Sequence, residues 1–332
     1  MQSIQQLMEM VLQESQAIVL SMIVNVEGSS YRKEGTWMLL LEDGRRVGVI
    51  SGGCLENDLH KRATELFRTG KSKILHYDLS DEDDLGWGRG VGCNGVVTVF
   101  IRDINADFRN FLRFMHQRLQ AKEPMYFIQS MTDFNLYECM GRTGDHFSKG
   151  QMVMPLDLEP LLPFEKKAGQ IKRGEELFYF QLIWPQPALY IVGAGIDARP
   201  LARLAEHAGY AVHLFDWRSG ICNDAHFPTA SSIQIGNVSE LISNVQFSPL
   251  DSVVVMTHDF QLDVEVVQCL LEYKLLYFGI LGSKKRTERL VQGEIPGTIH
   301  SPVGLSIGAD GPEEIAVSIV AELIAVRQGK LL

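Results

Sequence analysis

Three groups of residues carry side-chain types and spacings that could do chemistry. The first is Gly193-Ala-Gly195-Ile-Asp-Ala198, which follows the apolar run LYIV and opens a helical pattern. It reads as the dinucleotide turn G-x-G-x-x-A. Gly193 permits the tight bend, Gly195 lets a pyrophosphate approach the backbone, and Ala198 allows close helix–strand packing. The free N–H groups of the helix start can then face an anion. Asp216 ends the next apolar run, where an acid would accept the ribose 2′-hydroxyl of a nicotinamide nucleotide, and Arg218 beside it leaves NAD and NADP both open. The same turn also suits a fold that has kept its shape and binds another nucleotide or none. The second group is Thr257-His258-Asp259, after the run SVVVM. Crevices of open α/β sheets lie at strand carboxyl ends, so His258 and Asp259 could do acid–base work there. The plainer reading makes Asp259 a helix cap and His258 a solvated loop residue. Lys284, Lys285, Arg286 and Arg289 crowd another helix start, against the helix dipole. They mark either an anionic ligand nearby or a solvated basic face. The third group is two glycine turns that carry thiols, Ser51-Gly52-Gly53-Cys54-Leu-Glu56 and Gly90-Val-Gly92-Cys93-Asn-Gly95. Such turns expose backbone N–H groups as anion nests. Cys54 would lie near a helix N-terminus, which favours its thiolate. Glycines that only shape turns, with buried inert cysteines, are the alternative. No His/Cys spacing reads as a zinc site, and no metal ligand is assigned.

The elements that must position these groups fall into two patterns. Residues 1–140 are strand-rich. AIVLSMIVNV reads as a buried strand, and TWMLLLE and RRVGVI flank the hairpin signal Asp43-Gly44. Leu55, Leu59, Ala63 and Leu66 mark a helix face closed by Gly70, and KILHYDL and GVVTVFIR read as further strands. A helix over 105–120 and strands near 125–129 and 135–140 complete this part. Residues 141–187 lack clear periodicity and read as a linker or irregular segment, with room for one hairpin. From 188 to 332 strands and helices alternate, which implies a parallel doubly wound sheet. The expected class is therefore α/β: an N-terminal strand-rich α+β domain followed by a C-terminal Rossmann-like domain.

The 332 residues are 45% hydrophobic and 22% charged, an ordinary globular composition with ample length for a core. The net charge of −10 argues against nucleic acid as a partner. Residues 177–196 are uncharged, but Pro185 and Pro187 break them into two strand-like pieces, so no membrane span is expected. Five scattered cysteines and no basic, apolar leader at the start point to reduced thiols and a cytoplasmic protein.

Segments 28–59 (GSSYRKEGTWMLLLEDGRRVGVISGGCLENDL) and 86–101 (GWGRGVGCNGVVTVFI) resemble the N-terminal domain of the XdhC/CoxI family. LYIVGAGIDARPLARLAEHAGYAVHLFDWR, VVVMTHDFQLD, YFGILGSKKR and the ending SPVGLSIGADGPEEIAVSIVAELIAVRQG resemble that family's Rossmann domain. The likeness spans nearly the whole chain and is thinnest between Asp103 and Pro187. It implies a maturation factor for molybdenum hydroxylases such as xanthine dehydrogenase. Such a factor would bind the molybdenum cofactor (molybdopterin), protect its sulfurated form and deliver it to the apoenzyme. The matching motifs carry the implied cofactor contacts to Gly52, Gly53, Cys54, Gly92, Cys93, Gly193, Gly195, Asp216 and His258, with no catalytic residue among them. NAD(P) or another nucleotide is the further ligand class. The apoenzyme is the implied partner, and a cysteine desulfurase and a second copy of the chain are additional candidates. Asn94 and Trp217 depart from the family pattern, where glycine and a second acid are common. Two alternatives stand beside this reading: an NAD(P)-dependent oxidoreductase using His258, and a noncatalytic subunit of the hydroxylase complex.

Overall fold

The computed structural model describes residues 3–53, 55–79, 95–141, 144–150 and 167–330. The chain divides between Pro185 and Gln186 into two units.

The first unit contains α1 (Ile4–Gln13), β1 (Ile18–Gly28), β2 (Trp37–Leu41), β3 (Arg46–Val47), α2 (Glu56–Thr64), β4 (Ser72–Asp78), β5 (Gly95–Asp103) and α3 (Ala106–Gln120). It continues with β6 (Met125–Ser130), β7 (Tyr137–Gly141), β8 (His146–Lys149), β9 (Ala168–Arg173) and β10 (Glu176–Ile183). Two antiparallel sheets result, with strand orders β3-β2-β1-β5-β4 and β8-β7-β6-β10-β9. The unbroken apolar run of β1 has a direct cause: the strand is buried on both faces. Ile18, Leu20 and Met22 pack with α1, α3 and the second sheet, while Val19 and Ile23 pack with Leu55, Leu59, Ala63 and Leu66 around α2. A one-sided strand would alternate instead. Residues 141–187, expected as a linker, supply β8, β9 and β10, so most of the second sheet comes from them. Their sequence signal is weak because β8 and β9 bury few of their side chains.

Two buried polar clusters in this unit are paired through side chains. The amide oxygen of Gln181 accepts from Trp37 Nε1 at 2.9 Å and from the Tyr179 hydroxyl at 2.8 Å, and its Nε2 donates to the Gly35 carbonyl. Arg102 donates to Gln129 Oε1 at 2.8 Å and to the Phe134 carbonyl, with its guanidinium over the Phe108 and Tyr137 rings. Burial pulls its pKa down to about 10, which still leaves it charged at neutral pH.

The second unit contains β11 (Ala188–Val192), α4 (Ala198–His207), β12 (Ala211–Asp216), β13 (Ser232–Ile235), α5 (Val238–Ser243), β14 (Ser252–Val255), α6 (Phe260–Leu270), β15 (Tyr277–Ile280), α7 (Lys284–Val291), β16 (Ile299–His300) and α8 (Gly311–Arg327). All six strands are parallel, in the order β13-β12-β11-β14-β15-β16. Counted from the first strand this is 3-2-1-4-5-6, the doubly wound order of dinucleotide-binding folds. One face is covered by α4 and α8, the other by α5, α6 and α7. The order reverses between β11 and β14, so the crevice of this fold opens at their carboxyl ends. No helix among the described residues is long and apolar enough to cross a membrane.

The aromatic packing of the first unit makes a measurable claim. Phe127 is fully buried, with Trp37, Phe108, Phe111 and Tyr179 rings at 5.6–6.4 Å. Phe127→Ala is expected to destabilise the unit by about 4 kcal/mol, read as a shift of the urea midpoint. A loss below about 1 kcal/mol would place Phe127 outside the working core.

Candidate functional site

The turn after β11 is built around two glycines with different reasons to be glycine. Gly193 has φ +106°, and a Cβ there would lie 2.6 Å from the Met256 carbonyl oxygen and 2.7 Å from the Thr257 Cα. Its N–H donates to the Phe215 carbonyl at 2.8 Å. A side chain at Gly195 would meet only His258 Cδ2, at 4.0 Å. The first glycine is thus required by neighbouring backbone, while the second leaves open space. Among the described residues nothing accepts from the N–H groups of Gly195, Ile196 and Asp197, which precede α4. The turn therefore keeps donors available for an anion.

His258 reaches this turn from the end of β14. Its Nε2–H donates to Asp197 Oδ2 at 2.7 Å, and its φ of +62° is uncommon outside glycine. Such strain persists only where the surroundings hold it, and here the neighbours on both sides are fixed. The Thr257 hydroxyl is buried against Asp263, which also accepts from Arg286 Nη2 at 2.6 Å. Asp259 caps α6 by accepting from the N–H groups of Gln261 and Leu262, in keeping with its plainer reading. Two of the four cations at α7 also have local partners. Arg286 is paired with Asp263, and Arg289 lies over the Phe260 ring at 4.6 Å.

Asp216 stands in the expected place but with another job. Its carboxylate is fully buried, accepting from Ala194 N–H at 2.6 Å, from Arg218 N–H at 2.8 Å, and from Arg218 Nε and Nη2. Burial alone would raise its pKa. The Arg218 guanidinium and the Ala194 and Arg218 amides outweigh that and hold the carboxyl below the usual Asp range. Both oxygens are occupied, so the carboxylate braces the glycine turn, and a ribose hydroxyl would have to displace Arg218 to reach it. Arg218 also lies over the Trp217 ring at 4.1 Å. The nearby thiol of Cys222 is buried, which pushes its pKa up to about 11, with the Asp216 charge adding to the rise. It is an inert thiol.

In the first unit, the loop 50–56 is closed by Glu56. One carboxylate oxygen accepts from the N–H groups of Ile50 and Ser51, the other from the Ser51 hydroxyl, and Ser51 Oγ accepts in turn from Gly53 and Leu55 N–H. Burial would raise the Glu56 pKa, but the Ser51 hydroxyl and the amides bring it below its ordinary value. Gly52 and Gly53 are left exposed, and a Cβ on Gly53 would meet nothing within 4 Å, although its φ of +115° disfavours any side chain. Cys54, Gly92 and Cys93 lie outside the described residues. Among those described, no group of three or more His, Cys, Asp or Glu could hold a metal ion. The structure thus gathers Gly193, Gly195, Asp216 and His258 at one turn and places Gly52 and Gly53 in the other unit's loop. Asp197 and Glu56 are positioning residues beyond those expected from sequence. Neither has a local spacing signal: Ser51 and Glu56 are five residues apart, and only the fold brings each acid to its loop.

Comparison with known proteins adds ancestry to this geometry. A family model described as the XdhC Rossmann domain matches residues 189–323, and one described as the XdhC and CoxI family matches residues 11–78. Over 323 residues the chain is 37% identical to a Bacillus subtilis protein named as a probable subunit of xanthine dehydrogenase, covering 97% of each. It is 25% identical over 324 residues to an Escherichia coli protein named molybdenum cofactor insertion chaperone PaoD, covering 95% of this chain and 85% of that one. A crystal structure described as a xanthine dehydrogenase from Bacillus halodurans shares the fold with a TM-score of 0.87 at 38% identity, over 99% of this chain and 96% of that one.

The brace at Asp216 sets a pH-dependent expectation. Its folded pKa is depressed, so its stabilisation is complete above the unfolded Asp value of about 3.9 and is lost as pH falls through the lower folded value. Asp216→Asn is expected to lower stability by about 2 kcal/mol at pH 7, and the gap to the parent should shrink steadily below about pH 4. Denaturant titrations across that range check it. A gap independent of pH would mean that the charge of Asp216 does not hold the turn.

Proposed function

Because the chain belongs to the XdhC and CoxI family, we propose that it is an accessory protein of molybdenum cofactor insertion serving a xanthine dehydrogenase-type hydroxylase. In this reading it binds the cofactor as cargo, shields its sulfurated form and hands it to the apoenzyme. The observation that carries the reading is the pair of glycine loops with open approach. Gly195 faces space that only His258 borders, and Gly53 faces none of its own protein within 4 Å. The cargo would bring a phosphate and a reactive molybdenum–sulfur centre. The N–H groups of Gly195, Ile196 and Asp197 would receive the phosphate, with His258 bordering the approach. Gly52, exposed beside Gly53, would offer a second point of backbone approach, and Cys54 and Cys93 are the thiols whose motifs adjoin such glycine turns. None of these roles needs a proton to be moved or a bond to be broken by this chain.

The oxidoreductase alternative relies on Asp216 as the ribose contact. That carboxylate already accepts four N–H groups. A holding protein asks of it only that the turn keep its shape. A noncatalytic role within the hydroxylase complex is the reading that the name of the Bacillus subtilis relative favours, given identity over 97% of both chains. The two differ in lifetime: a permanent component stays with the hydroxylase after loading, and a chaperone leaves.

The test is reconstitution of an apo-hydroxylase with cofactor, with and without this protein, followed by size-exclusion chromatography. Hydroxylase activity is expected to rise several-fold with the protein present, and the loaded enzyme to elute without it. Gly195→Val should reduce cofactor retention, because a branched side chain fills the approach to the turn, and Cys54→Ser and Cys93→Ser should reduce it without unfolding the chain. Unchanged reconstitution together with turnover of NAD(P)H on a small substrate would reject the accessory role. Co-elution after loading would assign the role of a permanent component.

A further inference from the structure

The outward face of α4 carries a groove that the glycine turn does not use. About 630 Å3 in volume, it lies between α4, residues 225–229 and Glu313 at the start of α8. Ile196, Arg199, Pro200, Arg203 and Glu206 line it from one side. Their spacing of three and four residues puts them on one helical face. Phe227 and Pro228 form part of the opposite wall, beside His226, whose Nδ1–H donates to the Ile221 carbonyl at 3.0 Å.

Two features of this groove have no internal explanation. Arg199 and Arg203 make no ion pair among the described residues, although the chain has 41 acids and a net charge of −10. Like charges four residues apart on a helix repel. Moreover, Arg199 Nε is buried with no hydrogen-bond partner, an arrangement that folded proteins seldom leave uncompensated. The two acids of the groove do not answer them: Glu206 accepts from the Thr229 hydroxyl, and Glu313 sits in the first turn of α8, where its charge suits the helix dipole. The second feature is apolar. Ile196 is 70% exposed, the most exposed large hydrophobic side chain among the described residues, and it stands at the rim of the groove.

A pair of unpaired guanidiniums beside an apolar wall fits a ligand with an anionic head and a flat apolar body. We propose that this groove binds an organic phosphate that carries a planar ring, of the nucleoside monophosphate class. Arg199 and Arg203 take the phosphoryl oxygens, since guanidinium forks match that group, and the ring lies against Ile196, Pro200 and Pro228. The volume is in the range of small-molecule sites. The groove adjoins the cargo contacts at Ile196, whose N–H serves the glycine turn and whose side chain borders the groove, but the two arginines belong to the groove alone, and the proposal stands whether or not the cargo contacts are correct.

Calorimetry on the full chain with AMP, GMP, CMP and inorganic phosphate tests it. At least one nucleoside monophosphate is expected to bind at one site per chain, more tightly than inorganic phosphate, with affinity falling as salt rises. Arg199→Gln with Arg203→Gln should weaken that binding at least about tenfold. Arg203 is exposed, so Arg203→Glu alone keeps the test valid if the double variant does not fold, and it should weaken binding to a similar degree. Gly195→Val should leave this binding unchanged while reducing cargo retention. The proposal is overturned if none of the monophosphates binds at millimolar concentration. It is also overturned if binding survives Arg203→Glu, or if Gly195→Val abolishes it, which would move the ligand to the glycine turn.

Discussion

The contact of Gly193 with the backbone at Met256 and Thr257 is the constraint on which the carboxyl edge of the parallel sheet depends. At 2.6 Å from a carbonyl oxygen no Cβ can be accommodated, and the positive φ adds a second reason for glycine. Because the turn after β11 is pressed against the end of β14, everything around it is placed within narrow limits. Ala194 N–H is delivered to Asp216, and Asp197 is brought to His258 across 61 residues of chain. The left-handed backbone of His258 belongs to the same arrangement: it turns the chain so that the imidazole lies over the turn while Asp259, next in sequence, caps α6. Gly195 is the exception within this packed set. Nothing among the described residues crowds the place of its missing side chain, which leaves open space over the turn.

The strand-rich unit solves a different problem. The centre of its first sheet is covered on both faces, and several polar groups of the interior find side-chain partners. Gln181 and Arg102 do this with several bonds each. The loop 50–56 follows the same rule on a smaller scale. Glu56 and Ser51 satisfy the inner amides, so the glycine surface of the loop faces outward. A loop held from beneath by a carboxylate keeps its shape without using its outer N–H groups. The Asp216 brace beneath the other glycine turn works in the same way. Two unrelated architectures thus place a buried acid beneath a glycine turn.

How much of this could be read from residues depended on the range of the interaction. The β1 run, the helix face Leu55–Leu59–Ala63–Leu66 and the alternation after residue 188 are local patterns, and the structure contains the elements they predict. The missed elements were short or half-exposed. β13 and β16 have four and two residues, and neither buries enough apolar surface to leave a pattern. The segment 141–187 looked like a linker because β8 and β9 are edge strands with mostly polar, exposed side chains. The spacing places Asp216 at the end of β12, but its hydrogen-bond donors are set by the fold. A carboxylate at the end of a second strand can face a ribose or face the turn, and only the position of Arg218 decides between them. The His258–Asp197 pair was invisible for the same reason. Each residue had an adequate local explanation, as loop and as helix start, until β11 and β14 were known to be neighbours.

The acids beneath the two glycine loops act on the shape of those loops. A group that moves protons needs access to substrate and a pKa near the working pH. Asp216 and Glu56, the carboxylates that brace the two glycine loops from beneath, are both buried and both held below the ordinary range. They stay ionised at neutral pH and remain committed to backbone amides. Their charge is thus converted into rigidity of the loops above them, and the groups left facing outward are peptide N–H donors, which neither titrate nor react. The cost is dependence on two buried carboxylates, so the loops of both units should lose their shape together in acid, when Asp216 and Glu56 take up protons and release the amides they hold.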